Sequence, residues 1–464
     1  MKNSSSHFLS IRKSSSIAGL LALSAIQIQA ADADKMNVVF LLADDLRWNS
    51  LGCMGNPIVI TPNIDLLAKD GVRFNNACVT TAICMVSRAS LLSGQYMSRH
   101  QVTKFGVTLN EKTLEETYPA VLRKAGYWTG FVGKYGVGKI NNDDYDYSSV
   151  YEGRHWIQQG DGDSIHVTAK NENDALYFLK NRPSEKPFLL SVSFFATHAE
   201  DKHPDQYRYQ PQSEKYYQNA FIPVPKTANE AALKALPPFI SAKENAGRIR
   251  YYWRFDTPER YQKYMKAYYR MLTEMDLAIG RIVEELKAQG VYENTLIIFM
   301  GDNGYFQADH MLADKWYPYE ESIRVPLIVH DPRLPVSKRN TANNEFVLNI
   351  DIAPAIMVAA GEPIPSAVQG QDFSALYLNK KAPAWRQDFY YEHPVVGNKS
   401  FIPSSEALVT HHDKYIFWPD YQYEEYYDLK KDKEELHNKI GSRKEQRHIQ
   451  SMKMRMAELK NDAR

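Results

Sequence analysis

Four stretches of the chain run apolar without a break and then stop at polar groups. MNVVFLLADDL (36–46) ends in Asp44 and Asp45, and NTLIIFMGDNG (294–304) ends in Asp302 and Asn303. KPFLLSVSFFATH (186–198) ends in His198, and YWTGFVGKYGVG (127–138) closes around Lys134. Such runs predict strands buried on both faces of a parallel sheet. Helical spacing fills the gaps. The clearest case runs from Tyr261 to Gln289, where Met265, Tyr268, Tyr269, Leu272, Met275, Ile279, Ile282 and Leu286 share a face and Gly290 supplies the stop. Strands alternating with helices predict an α/β fold, a large parallel-type central sheet flanked by helices. Ligands of such sheets lie beyond the carboxyl ends of the strands, so the four polar tips are expected to meet.

The pattern changes near the end. FYYEH, EALVT, KYIFW and YYDL are short strand-like pieces separated by turns. They predict a smaller C-terminal antiparallel-sheet subdomain over 371–464, after a main domain over 31–370. The charged tail beyond Gly441 keeps Ile449, Met452, Met456 and Leu459 at helical spacing, which suits a surface helix docked on the body. At the other end, Lys2, Arg12 and Lys13 precede an apolar run from Ile17 to Ile28 and small residues at Ala30, Ala31 and Ala33. This reads as a signal peptide over 1–30 and as export, periplasmic or secreted. The alternative is an apolar terminal helix packed on the domain. The run is short for a membrane span, and no other stretch is a candidate.

Charge narrows the choice of partner. Lys+Arg is 56 and Asp+Glu is 55, a net +1 with no basic run or finger spacing, so nucleic acid is not expected. An anionic substrate must be met by a local pocket. Three cysteines, Cys53, Cys78 and Cys84, leave at least one unpaired, even were Cys53 and Cys78 bridged.

The strand tips carry the chemistry. Asp44, Asp45, Asp302 and Asn303 offer only oxygen, the donor set of a hard cation such as Ca²⁺ or Mg²⁺. Cys84 opens a helix-like stretch, CMVSRASLLSG, whose positive end favours anions and activates nucleophiles. Arg88, one turn on, shares its face. Lys134 lies in a Gly-rich turn and Lys315 in ADKWYPYEESIRVPL. His198 is a candidate general acid. A solvated or structural role stands as the alternative for each of them taken singly.

With these residues in view, the chain resembles the formylglycine-dependent sulfatases (type I) of the alkaline-phosphatase superfamily. The markers are NVVFLLADDLR, TPNIDLLAKDGVRFNNAC, CMVSRASLLSGQY, GYWTGFVGK, FFATH, TLIIFMGDNG and DKWYPYEESIRVPLIV, and EYYDLKKDKEEL matches the family's usual ending. The resemblance implies an alkaline-phosphatase-like fold and sulfate ester hydrolysis. It implies one Ca²⁺ on Asp44, Asp45, Asp302 and Asn303, faced also by Cys84. Cys84 would be oxidised to formylglycine by a maturation enzyme, and a hydroxyl of the hydrated aldehyde would attack sulfur. Arg88 would hold the hydrate, Lys134 and Lys315 would neutralise sulfate oxygens, and His198 would protonate the leaving alcohol.

Two positions depart from the family pattern. Val86 stands where Pro or Ala is usual two residues after the modified cysteine, and Gly136 stands where a histidine often follows the first lysine. His310, in QADHMLADK, and His393, in YYEHP, are candidates to fill that role or to bind substrate. An aromatic insert from Tyr207 to Tyr264, with Tyr216, Tyr217, Tyr251, Tyr252 and Trp253, suits either a wall for a sulfated carbohydrate or the core of a long excursion. Two other readings remain: a phosphodiesterase or phosphonate hydrolase on the same scaffold, and a noncatalytic sulfated-glycan-binding protein with an unmodified Cys84.

Overall fold

A computed structural model of the protein describes residues 35–141, 144–160, 162–201, 203–379, 381 and 384–464. The expected signal segment, residues 1–30, lies outside them. An eight-stranded sheet is built from β1 (Asn37–Ala43), β2 (Val72–Cys78), β3 (Trp128–Gly133), β4 (Tyr147–Val150), β5 (Phe188–Phe194), β6 (Thr295–Gly301), β7 (Arg324–His330) and β8 (Thr341–Leu348). Its order is β8-β2-β7-β6-β1-β5-β3-β4, and β7 alone runs antiparallel to its neighbours among these strands.

The four apolar runs are the four contiguous strands β6-β1-β5-β3. Strands β1, β5 and β6 are buried at every position. Alternation sends Val38, Phe40 and Leu42 into the core on one face, and Val39, Leu41 and Ala43 into the core on the other. Burial on both faces is why these strands read as unbroken apolar runs.

Helices cover both faces. On one lie α1 (Pro62–Lys69), α4 (Val167–Asn181), α5 (Ala246–Arg254) and the 31-residue α6 (Pro258–Ala288), whose buried residues include every periodic apolar position read from the sequence. On the other lie α2 (Cys84–Ser93), α3 (Tyr118–Lys124) and α7 (Ile352–Ala359). The start of α1 is capped by tertiary structure. Thr61 makes no side-chain cap, and Asp276 of α6 instead accepts from the N–H groups of Asn63 (3.2 Å) and Ile64 (2.8 Å). A satisfied cap of this kind contributes about 1 kcal/mol.

The second sheet is an antiparallel meander, β9 (Asp388–His393), β10 (Ser405–Thr410), β11 (Asp413–Trp418) and β12 (Tyr423–Asp428). Phe389, Tyr391, Ala407, Val409, Ile416 and Trp418 join the core of the main body. Tyr390, Leu408, Tyr415 and Tyr426 face the other way, against Ile449, Met452 and Met456 of α8 (Gln446–Asp462). Lys414, fully buried, ties the small sheet to the body through Glu320 (3.0 Å) and Glu435 (2.8 Å). All three cysteines are free, so Cys53 and Cys78 form no bridge. No helix among the described residues is long and apolar enough to cross a membrane.

Candidate active site

The tips of β6, β1, β5 and β3 are stitched together by their backbones. The N–H of Asp302 donates to the carbonyl of Ala43 (2.9 Å), that of Asp44 to Phe194 (3.2 Å), and that of Lys134 to Ser193 (2.9 Å). Adjacent residues of a strand point to opposite faces, yet Asp44 and Asp45 both serve this site. Asp45 leaves the strand in the left-handed region, at φ 54, which breaks the alternation. Both carboxylates are fully buried.

Each charge at this place has a partner. Lys134 Nζ donates to Asp44 Oδ2. Lys315 Nζ donates to Asp45 Oδ1 at 2.6 Å, and so does Asn303 Nδ2 at 2.7 Å. Arg88 Nε donates to Asp302 Oδ2 at 2.8 Å, while its Nη1 donates to the carbonyl of Lys134 at 2.6 Å and to Ser193 Oγ. The N–H of Asp45 donates to Asp302 Oδ1 at 3.2 Å. His198 Nε2 lies 3.5 Å from Asp45 Oδ2.

Three oxygens are left over. Asp44 Oδ1, Asp45 Oδ2 and Asn303 Oδ1 are buried without a hydrogen-bond partner. An orphaned buried carboxylate oxygen is costly, and three at one place, all hard donors, fit a divalent cation of the Ca²⁺ or Mg²⁺ kind. Asp44, Asp45 and His198 each present a ligand atom within 4.8 Å of the others. Both oxygens of Asp302 are already engaged, by Arg88 and by the N–H of Asp45.

Burial and charge act on these groups in opposition. Burial would raise Asp44, but Lys134, with His198, Arg88 and Lys315, holds it well below the usual carboxylate range. Burial, with Asp44 beside it, pushes Asp302 up to about 7. Burial likewise raises Asp45, against the pull of Lys315. Burial works to lower both lysines, and the surrounding acids outweigh it, so each stays a cation. His198 is pushed down to about 3 by burial and Lys315. Three carboxylates against Arg88, Lys134 and Lys315 give formal neutrality. A divalent cation would leave the pocket two charges positive, suited to an anionic ester.

Cys84 is the first residue of the ten-residue α2 and is 6% exposed. Burial holds its thiol above the usual value, although Lys134 and Lys315 pull it down. As encoded it is a neutral thiol and a poor nucleophile. Lys315 is fixed by strained backbone: Asp314 and Trp316 on either side have φ of 71 and 90. The N–H of Trp316 donates to the carbonyl of Ala82 at 3.1 Å, which ties the lysine loop to the approach to Cys84.

The structure thus gathers Asp44, Asp45, Cys84, Arg88, Lys134, His198, Asp302, Asn303 and Lys315. It does not bring His310 or His393 into a hydrogen bond or ion pair with any of them. His310 is fully buried, stacked on Tyr319 and 3.9 Å from Glu321. His393 ends β9, and neither of its ring nitrogens has a hydrogen-bond partner.

Gly136 has a geometric cause. At φ +73 a Cβ on residue 136 would lie 2.8 Å from Cδ of Arg88. Gly136→His is therefore expected to lower kcat by about 10-fold or more, because it pushes Arg88 off Asp302. Steady-state kinetics on an aryl sulfate check this, and a rise in kcat would refute it.

Sequence reasoning missed several supports. Ser193 holds Arg88, and the Thr197 hydroxyl donates to the carbonyls of Asp44 (3.0 Å) and Asp45 (3.3 Å). Asp314, Asp201, Arg250 and Arg254 form a salt-bridged cluster beside Lys315. Of these, only the position of Asp314 next to Lys315 was visible in the sequence. The aromatic insert divides: Tyr217 and Tyr251 are buried, Tyr216 is half-buried, and Tyr252 and Trp253 are exposed.

A model of the sulfatase family matches residues 36–362, and one described as N-sulphoglucosamine sulphohydrolase, C-terminal, matches 308–462. The chain belongs to the sulfatase family. This sulfatase is 27% identical to an N-acetylglucosamine-6-O-sulfatase of Bacteroides thetaiotaomicron, over 94% of its own length and 89% of the relative. It is 30% identical to an ulvan-active sulfatase of Formosa agariphila, over 77% of this chain and 68% of that protein. Among solved structures it resembles a protein in complex with its substrate D-glucosamine-2-N,6-O-disulfate, with TM-score 0.78, 25% identity, and coverage of 92% of this chain and 98% of the other. A phosphonate monoester hydrolase of Agrobacterium radiobacter shares the fold, with TM-score 0.76 at 21% identity over 93% of this chain and 96% of that one. The sulfatase is a sulfuric ester hydrolase with the fold of the alkaline-phosphatase superfamily.

Proposed function

We propose that this sulfatase removes sulfate from a sulfated carbohydrate outside the cytoplasm, using a formylglycine made from Cys84 and one Ca²⁺. The observation that carries the reading is the place of Cys84, at the head of α2 with Lys134 and Lys315 acting on it and three orphaned oxygens close by. The neutral thiol supports conversion, since a thiol held protonated is no nucleophile. Formylglycine supplies, as its hydrate, an oxygen nucleophile that can later release sulfate without attack of water on sulfur. Asp44, Asp45 and Asn303 would hold the cation through their orphaned oxygens, and Asp302 through a lone pair left beside its bonds to Arg88 and the Asp45 N–H. The cation would supply Lewis-acid polarisation of oxygen.

The chain's own groups do the rest. Lys134 and Lys315 place two fixed cations where sulfate oxygens gain charge. Arg88, held at Asp302 and at the Lys134 carbonyl, orients the nucleophile's side chain. His198, the most exposed of these groups with 18% of its side chain accessible, is kept neutral by burial and Lys315 in the free enzyme. The negative charge of a bound ester would raise its pKa so that it can pass a proton to the departing alcohol. The carbohydrate class is supported by relatives named for N-acetylglucosamine 6-sulfate and for ulvan. Export is supported by the N-terminal sequence pattern.

Peptide mass spectrometry across Cys84, on protein from its native host, tests the reading. A loss of about 18 Da relative to the thiol, as exchange of sulfur for an aldehyde oxygen requires, is expected together with sulfate release from glucosamine 6-sulfate. A thiol at full occupancy in active enzyme would overturn it.

A further inference from the structure

We infer that Trp253, Arg250 and Asp201 form the subsite that grips the sugar ring next to the scissile sulfate, and so set this enzyme's preference for carbohydrate esters. The inference rests on the carbohydrate reading above and adds the residues that recognise the ring.

A chain of contacts leads from the sulfate pocket to this subsite. Lys315 Nζ lies 3.9 Å from Asp314, and Asp314 Oδ2 accepts from Arg250 Nη1 at 3.1 Å. The Arg250 guanidinium lies over two indoles, 5.0 Å from the ring centre of Trp253 and 6.0 Å from that of Trp316, the residue after Lys315. Asp201 comes from the loop beyond β5, three residues after His198, and its charge acts on His198. Its carboxylate bridges Arg250 and Arg254. The subsite is thus assembled from the loop beyond β5, from α5 and from the Lys315 loop.

Its chemistry suits a neutral polyol ring. Two arginines face two aspartates, so the cluster carries no net charge and asks for no second anion. Asp201 is the most open of the four, with 27% of its side chain accessible against 17% for Arg250, 2% for Asp314 and none for Arg254. Its two carboxylate oxygens each accept from one arginine and keep lone pairs for hydroxyls, and the partly exposed Arg250 guanidinium beside it can donate to them. Trp253 is 41% exposed, unusual for an indole on a well-packed helix. An indole with an open face covers the C–H face of a pyranose, removing apolar area from water, while the hydroxyl edge is left to the polar groups. Tyr252 is as exposed, but Arg248 lies over its ring at 4.7 Å and donates to its hydroxyl at 2.7 Å. Tyr217 packs on Tyr269 of α6 at 5.7 Å, and Tyr251 is buried.

Binding tests this apart from turnover. Calcium-loaded Cys84→Ser protein is titrated calorimetrically with glucosamine 6-sulfate and with inorganic sulfate, the second reporting the sulfate pocket alone. The same is done for Cys84→Ser/Trp253→Ala and Cys84→Ser/Asp201→Asn. Trp253 is exposed, so its variant is expected to melt close to the parent. Asp201→Asn keeps its shape but loses the charge facing Arg250 and the buried Arg254, so its melting temperature is expected to fall. The inorganic sulfate titration of the same protein reports whether the sulfate pocket is intact. The preference for the sugar ester over sulfate should fall about 10-fold or more in each double variant. An unchanged preference in both, or a parent with no preference, overturns the inference. Failure of the formylglycine reading would show elsewhere, as a thiol peptide from active enzyme.

Discussion

Cys84→Ala enzyme from the native host is expected to lose sulfate ester hydrolysis by about 10⁴-fold or more in kcat/KM. The substitution removes the only side chain at the head of α2 that can become a nucleophile and leaves the rest in place. Ala is smaller than Cys and Cys84 is already buried, so the helix and its neighbours have no reason to move. Lys134, Lys315 and the carboxylates keep one another's company through the hydrogen bonds described above. Binding of glucosamine 6-sulfate should therefore survive within a few-fold while turnover disappears. Kinetics and calorimetry on the same preparation check both halves. Substantial residual turnover would mean that water or another group attacks sulfur.

Asp45→Asn is expected to lower kcat/KM by about 10³-fold and to weaken Ca²⁺ binding at least about 10-fold. Asp45 is the residue on which most of the site leans. Oδ1 accepts from both Lys315 and Asn303, Oδ2 is one of the orphaned oxygens, and His198 stands beside it. The amide removes a charge from the cation's shell and leaves Lys315 without its counter-ion in a buried place. Its N–H group also competes with Asn303 and Lys315 for geometry built around an acceptor. Chelation of the wild-type enzyme should reproduce the loss, and added Ca²⁺ should restore it in the wild type only. Full activity of Asp45→Asn at low calcium would show that the oxygens have another purpose.

Much of this site was legible before any coordinates. Asp44, Asp45, His198, Asp302, Asn303 and Lys134 stand at the ends of apolar runs, and such runs end where a parallel sheet meets its ligand. Cys84, Arg88 and Lys315 drew their meaning from motif context rather than from pattern. Strands β2, β4, β7 and β8 escaped. VRFNNAC, one strand in from the edge, mixes polar and apolar positions and is only partly buried, and RVPLIVH carries Pro326, where the pairing with β2 shifts register. The two extra histidines show a limit of the same kind: proximity in sequence to Lys315, or to a strand end, says nothing about which side of a packed loop a ring occupies, and neither ring hydrogen-bonds to the site residues.

Gly136 shows where sequence stops. Read alone it was a missing histidine; in the structure it is the space that Arg88 occupies. The cap of α1 by Asp276, more than two hundred residues away, is of the same kind.

The sequence by itself determined the four buried central strands and their parallel, helix-flanked character, the charged groups at their tips and their oxygen-rich, anion-binding nature. Those follow from local periodicity and from side-chain chemistry, which travel with the chain. Only the tertiary structure decided which oxygens remain without partners, why residue 136 has no side chain, and that Asp201, Arg250, Arg254 and Asp314 gather beside Lys315. Those depend on the order β8-β2-β7-β6-β1-β5-β3-β4, which departs from chain order, and on how loops pack above it. Neighbours across a sheet are set by burial of both its faces, and no local stretch of residues records that.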